Sequence, residues 1–227
     1  MEKVEGSSLL SRSRGPFGEI RRGLFVALLD GRVDSRILAS MTFRDAPGRL
    51  ELRTPRVSSR RIFQGGYLSV DLLEHQSPGR IDRREVVSVR DGVCVLSVLE
   101  DGTVPLVRQY RQAVDLVLLE LPAGVQESDE SPLETARREL SEEAGVEGGG
   151  WTHLLRYAHS EGYSTGWMDL FLARNCHRGA AHPDPGEDLE IVFRPLDEVL
   201  QQASRGEFPD AKTLLACTWA AKVLQQP

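Results

Sequence analysis

The sequence predicts an α/β (α+β) sandwich, a mixed sheet with helices packed on it. Three observations predict it: short Val- and Leu-rich segments parted by turn signals, one capped amphipathic helix in mid-chain, and two helical stretches at the end. At 227 residues the chain can form one substantial core with an extension or a small second unit. Its 40% hydrophobic and 27% charged residues belong to an ordinary globular protein, which sets fibrous and wholly disordered classes aside.

Residues 1–56 mix Ser, Gly and Arg with apolar runs such as Leu24-Phe25-Val26-Ala27-Leu28-Leu29. The turn signals Gly15-Pro16, Asp30-Gly31 and Pro47-Gly48 divide them, so the segment reads either as a small β extension or as a partly disordered tail, with no assignable chemistry. Residues 57–227 form the main unit, with N-terminal strands over 57–90 and the core over 91–227. Tyr67–Leu73 and Arg84–Val89 read as strands joined across Ser77-Pro78-Gly79. Gly92–Leu99 and Pro105–Tyr110 follow, joined by the turn Glu100-Asp101-Gly102-Thr103. Leu116–Leu121 then runs into Pro122-Ala123-Gly124.

Pro132–Ala144 is the best-marked helix. Ser131 fits the N-cap, Pro132 the first helical position and Glu134 the reciprocal position of a capping box, while Gly145 fits a left-handed stop. Leu133, Ala136, Leu140 and Ala144 recur at three- and four-residue steps and mark the core-facing stripe, so the helix's carboxylates are expected to point elsewhere. Leu154–Ala158, Met168–Ala173 and Glu190–Phe193 return to strand character, with the polar loop Ser160–Gly166 between the first two. Helices over Leu196–Ala203 and Asp210–Leu224 close the chain.

Chemistry concentrates on the mid-chain helix. Glu139, Glu142 and Glu143 stand at i, i+3 and i+4, where side chains are neighbours and like charges repel. A hard divalent cation with oxygen ligands would relieve that repulsion. A solvated acidic face assisted by Arg137 and Arg138 explains the spacing equally well. The wider pattern separates these readings. Gly124, five residues, Glu130, seven residues, then Arg138-Glu139-Leu140-Ser141-Glu142-Glu143-Ala144-Gly145-Val146 resembles the Nudix box at every defined position.

That resemblance implies a Nudix fold, an α/β/α sandwich, holding Mg²⁺ or Mn²⁺ against a diphosphate. It implies Glu139 and Glu143 as principal metal ligands, Glu142 as a ligand or a positioner of the attacking water, Arg138 as the residue that orients a carboxylate, and Glu130 as a loop support. Flanking segments resemble the ADP-ribose pyrophosphatase branch over roughly Val57–Leu224: Val107-Arg108-Gln109-Tyr110-Arg111, Glu120-Leu121-Pro122-Ala123-Gly124 and Gly206-Glu207-Phe208-Pro209-Asp210-Ala211-Lys212-Thr213. By that likeness the carbonyl of Ala123 is a further metal ligand, Arg111 contacts phosphates, and Glu120, Arg84 and Glu85 belong to the substrate site. A homodimer formed through the N-terminal strands is also implied.

The expected reaction is metal-dependent hydrolysis of ADP-ribose to AMP and ribose 5-phosphate. GDP-mannose, another nucleotide sugar or a dinucleotide is the alternative substrate, and a nucleotide sensor without catalysis the alternative class. One departure stands out. Where the branch carries a glutamate in the loop after the Leu154 strand, Ser160-Glu161-Gly162-Tyr163-Ser164-Thr165-Gly166 places Gly166. Three explanations stand side by side: Glu161 or Asp169 replaces it, the helix carboxylates suffice, or the enzyme is weak or takes a different substrate.

Other classes recede. A net charge of −6 offers no global field for nucleic acid or an anionic membrane. Cys94, Cys176 and Cys217 lack the number and spacing of a disulfide framework or zinc site. No apolar run would span a bilayer and no secretory signal opens the chain, so a cytoplasmic protein is expected.

Overall fold

The computed structural model describes residues 54–182 and 188–225; the expectations for residues 1–53 lie outside them. The chain divides at Thr54 into two units, of which the second starts at Pro55. That unit opens with β1 (Arg56–Gln64), β2 (Ser69–Ser77) and β3 (Arg80–Ser88), an antiparallel sheet in the order β1-β2-β3. Pro78 and Gly79 turn β2 into β3, with Ser77 opposite Arg80. Both strands extend into polar stretches beyond their predicted ends, and β1 was not anticipated. All nine β1 residues are exposed, so no buried face imprints a period of two on them.

The core follows the predicted order. It comprises β4 (Gly92–Leu99), β5 (Thr103–Arg111), β6 (Leu116–Glu120), β7 (Ala123–Val125), α1 (Pro132–Ala144), β8 (Val146–Ala158), β9 (Trp167–Arg178), β10 (Leu189–Pro195), α2 (Leu196–Ser204) and α3 (Ala211–Leu224). β7 is too short to show periodicity. β8 begins at Val146 rather than Leu154, because Gly148-Gly149-Gly150 offers no side chains whose alternation could reveal a strand.

One sheet runs β7-β4-β9-β8, with β4 and β9 parallel and the outer pairs antiparallel. A second runs β10-β5-β6. β4 explains the layering. Val93 and Val95 pack with Ala136, Leu140 and Ala144 of α1, whereas Cys94 and Leu96 pack with Ala216, Cys217 and Ala220 of α3. A strand covered on both faces has no polar side, hence the unbroken run Val93-Cys94-Val95-Leu96. The result is the expected α/β/α sandwich. Truncating Leu140, wholly buried between α1 and the sheet, to alanine would cost about 2–5 kcal/mol. No helix of the described residues is long and apolar enough to cross a membrane.

Candidate active site

α1 starts as its sequence dictates. Glu134 N–H donates to the Ser131 hydroxyl at 3.3 Å, Ser131 N–H donates to the Glu134 carboxylate at 2.7 Å, and Gly145 takes the left-handed stop. The stripe facing the sheet is wider than the apolar residues alone define. Glu143 is only 4% exposed and accepts from the Ala123 N–H at 2.9 Å. The expectation that all the carboxylates turn from the core is therefore corrected. Glu143 follows Leu140 at i+3, so its side chain enters the seam between α1 and β7.

Gly124 makes room for Glu139. A Cβ at Gly124 would stand 1.9 Å from the Glu139 carboxyl carbon, so any side chain there would displace the carboxylate. Arg138 then gathers the acidic groups. Its Nε donates to Glu130 at 2.7 Å, Nη1 to Glu139 at 2.8 Å and to Glu142 at 2.9 Å, and Nη2 to the Val125 carbonyl at 3.2 Å. The guanidinium holds the Glu130 carboxyl down to about 2, aided by the Thr135 hydroxyl. The same anions push Arg138 above its ordinary value despite partial burial.

One guanidinium faces three carboxylates, and the nearly buried Glu143 stands on the same helix beside them. Among the described residues, no three His, Cys, Asp or Glu side chains are drawn together in a ready-made metal cage. The donor set still fits a hard cation, being made only of oxygens and concentrated where Gly124 opens space for a carboxylate. Arg138 holds Glu139 and Glu142 in the cluster.

A second cluster surrounds Glu120 at the end of β6. Glu120 is 1% exposed and receives a two-pronged contact from Arg111, at 3.0 and 2.6 Å, plus a short contact from the Lys212 ammonium. Burial alone would raise the Glu120 carboxyl, but Arg111 and Lys212 outweigh it and hold it below the ordinary range. Lys212 also donates to Asp210 at 3.0 Å, and Asp210 caps α3 by accepting from Thr213 N–H at 2.9 Å. The Thr213 hydroxyl accepts from Leu121 N–H at 3.0 Å, which ties the start of α3 to the segment leading into Ala123. Asp210, Lys212 and Thr213 were not singled out from sequence, although the stretch containing them was; a charged Asp-Ala-Lys-Thr run at the start of a largely apolar helix was the available signal.

Arg84 and Glu85 lie exposed on β3, paired across the sheet with Leu73 and Leu72. Among the described residues, no hydrogen bond or ion pair joins either to the two clusters.

The downstream loop packs against the end of β3, with Val87 N–H donating to the Tyr163 carbonyl at 2.7 Å and Thr165 N–H to the Val87 carbonyl at 3.0 Å. A Cβ at Gly166 would lie 2.3 Å from His159 Nε2 and 2.7 Å from a Val89 methyl, so a larger residue there requires His159 to move. Glu161 stays exposed in that loop. Asp169 is buried and committed: one oxygen contacts His153 at 2.7 Å, the other Arg156 at 2.6 Å. Arg156 continues to Asp91 at 2.5 Å, and Asp91 accepts from Trp167 N–H at 3.0 Å. In register Asp169 is opposite Val93, and Val93 opposite Gly124, so two strand spacings of about 10 Å separate Asp169 from the Glu139 pocket.

A family model described as NUDIX domain matches residues 88–217. The chain is 30% identical over 163 residues to the methanol dehydrogenase activator of Bacillus methanolicus, covering 70% of this chain and 88% of that protein. It is 29% identical over 168 residues to the ADP-ribose pyrophosphatase of Bacillus subtilis (strain 168), covering 73% and 91%. In structure it matches an ADP compounds hydrolase with a TM-score of 0.68 at 20% identity, over 76% of this chain and 95% of the other, which is a likeness of fold.

Proposed function

The chain belongs to the Nudix hydrolase family, in the branch of the ADP-ribose pyrophosphatases, and from that membership we propose that it cleaves the diphosphate of a nucleoside diphosphate sugar, ADP-ribose first, to AMP and ribose 5-phosphate. The observation that carries the reading is the inward turn of the box. Glu139 fills the space over Gly124 and Glu143 is held by the Ala123 N–H. A merely solvated acidic face would leave both in water.

In this reading Glu139, Glu143 and Glu142, with the carbonyl of Ala123, hold Mg²⁺ or Mn²⁺. Such a cation, when bound, supplies neutralisation of phosphate charge and a lowered pKa for a coordinated water. Arg138 orients Glu139 and Glu142, which fixes the carboxylates before substrate arrives. Glu142, the most exposed of the three, accepts the proton of the attacking water. The water oxygen bonds to one phosphorus, the bridging P–O bond breaks, and the bridging oxygen departs with the second phosphate. Arg111, held by Glu120 until substrate arrives, contacts the diphosphate with its guanidinium fork, and Arg84 and Glu85 contact the nucleotide. Because the helix carboxylates supply the base, the loop needs none at Gly166.

A homodimer through the N-terminal sheet completes the proposal. Val57, Ile62 and Phe63 of the edge strand β1 are exposed, and an apolar strand edge of this kind is suited to cover by a second copy. Light scattering on the purified protein should return twice the chain mass. For the activity, the protein is incubated with Mg²⁺ or Mn²⁺ and a panel of ADP-ribose, GDP-mannose and dinucleotides. Release of AMP from ADP-ribose, abolished by EDTA, is expected; no release from any of them would overturn the reading.

A further inference from the structure

Glu120 poses a physical problem if Arg111 serves a substrate. The carboxylate is almost wholly buried, and a buried charge stripped of its partner is strongly unfavourable. Arg111, its side chain 39% exposed, is the member of the cluster that reaches the surface, and Glu143 is among the anions acting on its guanidinium. Lys212 is the opposite case. Its side chain is 14% exposed and lies between Glu120 and Asp210. Its backbone is anchored at the start of α3, where the Thr213 hydroxyl receives Leu121 N–H, one residue beyond Glu120. It cannot follow Arg111 outward.

We propose that Lys212 is a positioning residue that neutralises Glu120 when Arg111 exchanges that carboxylate for a substrate phosphate. The inference rests on the reading of Arg111 as a phosphate contact. Asp210 accepts from Lys212 through the same oxygen that caps α3, so the ammonium bridges the two carboxylates and is held beside Glu120 whether or not Arg111 is there. With Lys212 in place, Arg111 leaves behind an ion pair. Without it, Arg111 is the one cation on Glu120 and is retained there, so substrate binds less tightly while the box chemistry is untouched.

Steady-state kinetics with Mg²⁺ on ADP-ribose, or on GDP-mannose if that is the sugar cleaved, separates the possibilities. Lys212→Met is expected to raise KM about tenfold with kcat changed less than about threefold. Adding Glu120→Gln to Lys212→Met should return KM to within about threefold of the starting value, because a neutral amide no longer retains Arg111. Arg111→Gln should raise KM by itself. An unchanged KM for Arg111→Gln removes the phosphate role and this inference with it. A raised KM for Arg111→Gln beside an unchanged KM for Lys212→Met overturns the role of Lys212 alone. So does a raised KM for Lys212→Met that Glu120→Gln fails to restore, since that marks a structural lysine. Where Lys212→Met does not fold, Lys212→Gln carries the same expectations.

Discussion

The two ion-pair clusters have opposite make-up. Arg138 faces Glu130, Glu139 and Glu142, whereas Glu120 stands between Arg111 and Lys212. Both are partly withdrawn from water, where charge interactions are stronger than at the surface. The first gathers carboxylate oxygens and suits a cation. The second sets Arg111 and Lys212 against Glu120, with Asp210 on the other side of Lys212, so Arg111 can be lent to an anion while the ammonium stays. A diphosphate with its metal needs both kinds of site, and α1 and β5–β6 supply them from opposite sides of the Leu121-Pro122-Ala123 segment.

The sharpest way to break the contrast is to neutralise the first cluster at its most buried anion. Glu143→Gln is expected to lower kcat more than about 100-fold, beyond the range for a residue that only orients a ligand. Full activity in that variant would remove the metal role from the cluster. Gly124→Ala acts on the same pocket without touching a charge. Its Cβ must displace the Glu139 carboxylate, so a loss of about 100-fold in kcat is expected from misplacement, measured beside a melting curve that shows the fold intact.

Acid distinguishes the clusters more gently. Glu130 titrates near 2 when folded, below the unfolded value of about 4.3, so its stabilisation is present above that value and is lost as pH falls towards 2. Glu120 is likewise held low and adds in the same direction. Thermal melts between pH 6 and 3 should show falling stability, with a shallower fall for Arg138→Gln, which no longer holds Glu130 down. An identical slope would contradict the assignment. The smallest effect is expected at the loop: Glu161→Gln should leave kcat within about twofold, as exposed substitutions do. A large loss there would restore the loop as a source of the base.

The first cluster was legible because it is local. Its residues lie within one loop and one helix, where spacing dictates proximity and caps fix the ends. Glu143's burial was not legible, since an acidic residue beside an apolar stripe reads as exposed until β7 supplies a backbone N–H for it. The second cluster was read only in part. Arg111 and Glu120 entered through resemblance, but Lys212 is 92 residues from Glu120, and no local period encodes a contact made when α3 docks on the sheet. β4 was read almost residue by residue from its apolar run. β1 and the start of β8 were not, as exposure in one and glycine in the other erase the alternation that marks a strand.

The most direct test of the division of labour is a titration of Mn²⁺, followed by its electron paramagnetic resonance signal, on the original protein, Glu139→Gln and Arg111→Gln. The account expects Glu139→Gln to weaken Mn²⁺ binding at least about tenfold and Arg111→Gln to leave it within about twofold. Equal affinity in all three, or a loss confined to Arg111→Gln, would contradict the claim that the box carboxylates hold the metal and the Glu120 cluster serves the phosphate.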